Sequence, residues 1–122
     1  MRILIADDHD LLRDSLVVFL ENEGSMETTA VGSFDEARAR VEANDPYDLI
    51  LLDYNMPGMN GLDGLKEALT LKDGQRVAII SGEATKKIAE QALEAGAAGF
   101  VPKSLPAKSF VNAVKFMAMG EQ

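Results

Sequence analysis

The sequence has no cysteine, which excludes a disulfide framework, a thiolate nucleophile and a cysteine metal site. It has one histidine, His9, so no histidine cluster is available for a metal either. Positive charge is scarce: 12 Lys and Arg stand against 20 Asp and Glu, giving a net charge of −8 and a pI near 4.5. Such a surface argues against direct binding of a nucleic-acid backbone, which needs clustered cations. No apolar run approaches the ~18 residues that a membrane span needs. The early apolar residues Ile3 to Ala6 run straight into Asp7-Asp8, which does not fit a signal peptide, and a reducing cytoplasm is the expected location. Internal repeats, low-complexity tracts and an internal linker are also missing. One domain is therefore expected over residues 1–122, and a hydrophobic content of 47% is enough for it to build a core.

The most informative stretch is Leu49-Ile50-Leu51-Leu52-Asp53, followed by a loop with Pro57, Gly58 and Gly61. A short apolar run bounded by turn residues fits a strand buried on both faces, with a carboxylate at its end. Ile3 to Ala6, ending in Asp7-Asp8, and Val77 to Ile80, ending in Ser81-Gly82, repeat the pattern. Met26 to Val31 and Gly99 to Val101 are weaker strands, the last leading into Pro102-Lys103-Ser104. Between them the spacing turns helical. The expected helices run from about Asp10 to Glu23, from a Ser33 N-cap with Glu36 as capping box to about Asn44-Asp45-Pro46, and from Leu62 to a break at Asp73-Gly74. Two more run from about Thr85 to Ala95 and onward from about Pro106. Five buried strands alternating with five helices imply an α/β three-layer sandwich, with a parallel sheet of order 2-1-3-4-5.

All strand C-termini of a parallel sheet lie on one edge, where ligands bind. Asp7, Asp8, Asp53, Ser81 and Lys103 therefore converge from distant parts of the chain. Three close carboxylates call for a cation, and oxygen ligands alone favour a hard one: Mg²⁺ first, with Mn²⁺ and Ca²⁺ behind it. Lys103 can neutralise further negative charge and the Ser81 hydroxyl can donate a hydrogen bond. The set suits stabilisation of a transferring phosphoryl group, with Asp53 as nucleophile.

The combination of Asp7-Asp8, Asp53 to Gly61, Ser81-Gly82 and Ala97 to Lys103 resembles the receiver domain of two-component response regulators, over essentially the whole chain. The resemblance implies a flavodoxin-like fold and Mg²⁺-dependent phosphorylation of Asp53 by a sensor histidine kinase or a small phosphodonor. It implies Asp7, Asp8, Asp53 and the Asn55 carbonyl as metal ligands, Ser81 and Phe100 as switch residues, and Lys103 as the catalytic lysine. Asn55 and Glu83 are implied as residues that tune phosphoryl lifetime. The segments Asp7 to Arg13 and Ala113 to Glu121 are similar to the LuxR-type branch, whose receivers precede a helix-turn-helix domain. The expectation is a longer transcription regulator that contacts DNA only through that further domain, with a homodimer as one further partner. Most such receivers carry proline directly after the lysine; here Ser104 follows Lys103 and Pro102 precedes it, which leaves the isomer of the Lys103–Ser104 bond open.

Plainer readings stand beside these. His9 reads as a solvent-exposed helix-start residue rather than a ligand, Gly82 as backbone clearance, and Phe100 as either a switch or a core aromatic. Phe116 and Met119 fall off the buried face of the last helix, as a partner surface or as scattered apolar residues. A phosphatase with an aspartyl-phosphate intermediate is the first alternative function, against which Asn55 stands where an acid is wanted. A flavin- or nucleotide-binding module is the second, against which Asp7-Asp8 replaces a glycine-rich loop.

Overall fold

The computed structural model describes residues 1–43, 46–82 and 86–120. Five strands, β1 (Arg2–Ala6), β2 (Glu27–Val31), β3 (Leu49–Asp53), β4 (Val77–Ser81) and β5 (Gly99–Pro102), alternate with five helices. The helices are α1 (Asp10–Asn22), α2 (Phe34–Glu42), α3 (Asp63–Leu71), α4 (Lys86–Glu94) and α5 (Ala107–Ala118). All four strand pairings are parallel and the order is β2-β1-β3-β4-β5. The expected architecture and strand order are both present. The expected helix end at Asn44-Asp45 and helix start at Thr85 lie outside the described residues, as does Glu83.

Burial explains why the three inner strands are continuous apolar runs. Every residue of β3 and β4 is buried, and only Arg2 of β1 is not. Leu4, Ile50, Leu52 and Ile79 pack against α2, α3 and α4 on one face. Ile3, Ile5, Leu51 and Ile80 pack against α1 and α5 on the other. Each such side chain contributes about 1.5–3 kcal/mol of burial. The edge strand β2 covers less and carries Glu27, Thr28 and Thr29 instead.

Ser33 caps α2 as expected, its hydroxyl accepting from the Glu36 amide at 3.2 Å. The Glu36 carboxylate reaches back one residue further than a capping box predicts, accepting from the Gly32 amide at 2.7 Å. After β3 the loop turns through three left-handed residues, Gly58, Asn60 and Gly61, with φ of 86°, 50° and 64°. The Pro57 carbonyl accepts from the Phe34 amide at 3.1 Å, which ties this loop to the start of α2. The chain therefore leaves Asp53 abruptly, and the space above the strand end stays open.

Candidate functional site

Parallel register places Ala6 beside Leu52, Asp53 beside Ile80 and Ser81 beside Pro102. The next residues out, Asp7, Asp8 and Lys103, reach the same edge. Asp7 and Asp53 are buried alike, at 0% and 1% exposure, and held alike. Asp7 Oδ1 accepts from the His9 amide at 2.9 Å and Asp53 Oδ1 from the Asn55 amide at 3.3 Å, each two residues ahead. The other oxygen of each faces Lys103, whose Nζ lies 2.9 Å from Asp7 Oδ2 and 3.1 Å from Asp53 Oδ2. These are close ion pairs, yet neither Oδ2 receives a well-aligned hydrogen bond. The Lys103 amide donates to the Ser81 carbonyl at 2.8 Å, fixing the lysine's root to β4.

The two carboxylates differ in their proton affinity. Burial raises the Asp53 pKa, the close Lys103 ammonium opposes it, and the charge of Asp7 adds to the rise, so Asp53 stands above the ordinary aspartate value. Burial pushes Asp7 up as well, but the His9 amide and the Lys103 ammonium outweigh it and hold Asp7 below that value. Among the described residues one amine stands between these two buried acids, which leaves an excess of negative charge.

Asp8 is partly exposed beside them, and Asp7, Asp8, His9 and Asp53 can each bring one ligand atom within 4.8 Å of the others. An open cleft of about 710 Å³ above the cluster is lined by residues that include His9, Asp53, Asn55, Gly82 and Lys103. Ser81 is fully buried at the end of β4, below that cleft. Phe100 is half-buried and packs against the face that holds α2, α3 and α4. Among the described residues, then, Asp7, Asp8, Asp53, Asn55, Ser81 and Lys103 come together on one edge of the sheet.

The structure bears on three further readings. Gly82 is not needed for clearance against the protein, because a Cβ there would meet nothing within 4 Å. The Lys103–Ser104 bond is trans, as no cis peptide occurs among the described residues. His9 begins α1 and is exposed as expected, but its ring leans onto the acids instead of pointing away. Sequence reasoning also missed Arg13. Its Nη1 donates to the Asp7 carbonyl at 2.8 Å and its Nη2 pairs with Asp10 at 3.0 Å, which anchors the acidic loop to α1. The available signal was an arginine beside the apolar stripe of α1, three residues after Asp10.

Comparison with known proteins agrees with this fold. The glycerol metabolism activator of Pseudomonas putida is 39% identical over 124 residues, covering 98% of this chain and 54% of that protein. The transcriptional regulatory protein NarL of Mycobacterium tuberculosis is 36% identical, covering 98% of this chain and 56% of that protein. The chain thus spans about half the length of the curated relatives it matches. Among solved structures, the signal receiver domain of M. tuberculosis NarL superposes with a TM-score of 0.87 at 35% identity, over 98% of this chain and 97% of that one. A LuxR family DNA-binding response regulator from Silicibacter pomeroyi gives 0.87 at 36%, over 99% and 93%. The sequence profile of the response regulator receiver domain matches residues 3–115, and the chain belongs to that family.

Proposed function

We propose that this domain accepts a phosphoryl group on Asp53 from a sensor histidine kinase or a small phosphodonor, and that the phosphorylated form controls transcription. The observation that carries this reading is the buried Asp53 carboxylate, 3.1 Å from the Lys103 ammonium and open to the cleft. Asp53 attacks phosphorus through a carboxylate oxygen, a P–O bond forms, and the bond to the donor breaks with its electron pair leaving on the donor. Lys103 stays at hand to balance charge on the phosphoryl oxygens.

The pocket fits a hard divalent ion. It offers oxygen donors, carries excess negative charge, and holds two buried carboxylate oxygens that share one ammonium. Asp7, Asp8, Asp53 and the Asn55 carbonyl would hold Mg²⁺, which when bound supplies further neutralisation of phosphoryl charge. Ser81, one residue beyond the neighbour of Asp53 on β4, would donate its hydroxyl to the new phosphoryl group. Movement there and at Phe100 repacks the face formed by α4, β5 and α5, a two-state element biased by local charge. Exposed Leu93, Phe116 and Met119 on α4 and at the C-terminal end of α5 give that face an apolar surface for a partner, a second copy included. Contact with DNA falls to a helix-turn-helix domain outside these 122 residues, in keeping with the net charge of −8. Asn55 and Glu83 set how readily water reaches the acyl phosphate.

Incubation with acetyl phosphate and Mg²⁺ should add one phosphate to the wild type by intact mass and none to Asp53→Asn. An unchanged wild-type mass across a range of donors overturns the reading.

A further inference from the structure

His9 is the one histidine of the chain and sits at the N-cap of α1 in an extended conformation. Its side chain makes no capping hydrogen bond. The ring turns to the acids instead, with Nδ1 3.4 Å from Asp7 Oδ1, 3.5 Å from Asp8 Oδ1 and 4.0 Å from Asp53 Oδ2. Around an octahedral divalent ion with bonds of about 2.1 Å, adjacent donors lie about 3.0 Å apart and opposite donors about 4.2 Å. The first two separations approach an edge of that octahedron and the third approaches a diagonal. A second observation points to a bound cation: Asp7 Oδ2 and Asp53 Oδ2 belong to side chains at most 1% exposed, and both must share the single Lys103 ammonium, at 2.9 and 3.1 Å, with neither contact aligned as a hydrogen bond. The ring itself is 66% exposed, so it can adjust to an ion without disturbing the core.

An imidazole nitrogen changes what such a pocket prefers. Carboxylate, carbonyl and water donors suit Mg²⁺, whereas a nitrogen donor favours Mn²⁺, Co²⁺ and Zn²⁺ in the Irving–Williams order. A ring held only as a positive counter-charge would instead oppose every divalent ion alike. The two roles separate in the preference between ions and in the presence of a metal–nitrogen bond.

We propose that His9 Nδ1 is a ligand of the divalent-ion site, shifting this receiver toward Mn²⁺ and other borderline ions relative to Mg²⁺, an inference that rests on the metal site proposed above. The test uses the tag-free 122-residue chain at about pH 8. Dissociation constants for Mg²⁺ and Mn²⁺ are measured by calorimetry, and nitrogen modulation is read in the electron spin echo of bound Mn²⁺. With one histidine in the chain, any imidazole signal belongs to His9.

The wild type should show nitrogen modulation that His9→Gln lacks, and the Mn²⁺-over-Mg²⁺ preference should fall about tenfold or more in the variant. His9→Asn, which supplies a strong N-cap residue, should give the same result with α1 supported. Mn²⁺ held without nitrogen coupling, at an unchanged preference ratio, overturns His9 ligation. If the wild type binds both ions and Asp53→Asn loses them, that failure leaves the metal site standing. If the wild type binds neither ion, the site and the ligand assignment fall together.

Discussion

Two places in this molecule set one cation between two carboxylates. On the surface, Arg38 bridges Asp35 at 2.6 Å and Glu67 at 2.5 Å, joining α2 to α3. At the sheet edge, Lys103 bridges Asp7 at 2.9 Å and Asp53 at 3.1 Å. Distance ranks the surface group as the stronger, and burial reverses the order. The surface side chains are 35%, 74% and 44% exposed, so water and salt compete for every contact. The Glu67 hydrogen bond raises the Arg38 pKa, without consequence for a group that is always charged. In the site the exposures are 9%, 0% and 1%, and an acid that loses its partner there cannot turn to bulk water. The surface group is complete as it stands. The buried one keeps an excess negative charge, and that incompleteness suits it to receive a cation and a phosphoryl group.

Removing the central cation separates the two most sharply. Lys103→Met leaves Asp7 and Asp53 buried without a counter-charge, and a loss on the order of 3–5 kcal/mol is expected in urea unfolding. The rate of phosphorylation by acetyl phosphate should fall by about 10²–10³-fold at saturating Mg²⁺. A loss of stability no greater than that of an exposed lysine variant would show that water, not Lys103, satisfies the two acids.

Removing one acid should have the opposite sign. Asp53→Asn abolishes phosphorylation but relieves repulsion with Asp7, so without divalent ions it should unfold at a higher temperature than wild type near neutral pH. The raised Asp53 pKa favours folding below the ordinary aspartate value, and this contribution is lost as pH rises through the folded value. The lowered Asp7 pKa acts the other way, its contribution present above the ordinary value and lost as pH falls through the folded one. The advantage of Asp53→Asn should therefore shrink on acidification, where wild-type Asp53 takes up a proton. Mg²⁺ should narrow the gap from the other side by stabilising wild type more than the variant. Melting curves across pH, with and without EDTA, check both directions.

The strand ends were legible because backbone register alone decides them. Leu49 to Leu52 and Val77 to Ile80 had to be inner strands, and a parallel sheet then had to bring Asp53 and Ser81 to the edge that holds Asp7 and Lys103. What was not legible depended on side-chain direction and local space. His9 could be assigned to a helix start, but nothing in the spacing says that its ring turns inward. Nor does anything in the spacing say that Arg13 donates to the Asp7 carbonyl. Gly82 reads in the sequence as clearance near the site, and the protein itself leaves open space beside it. Register follows from pattern, whereas rotamers and clearances follow from neighbours that are far away in the chain.

The smallest expected effect lies at the surface group, and it tests whether burial or distance is the right ranking. Arg38→Ala removes two contacts shorter than any made by Lys103. It also removes the guanidinium that lies 5.5 Å from the centre of the Phe34 ring. Asp35 and Glu67 remain exposed and recover water at once. The melting temperature should move less than in either site variant, the shift should vanish in high salt, and phosphorylation should keep its wild-type rate. A drop comparable to that of Lys103→Met would mean that the short surface contacts bind α2 to α3 more strongly than their solvent exposure allows.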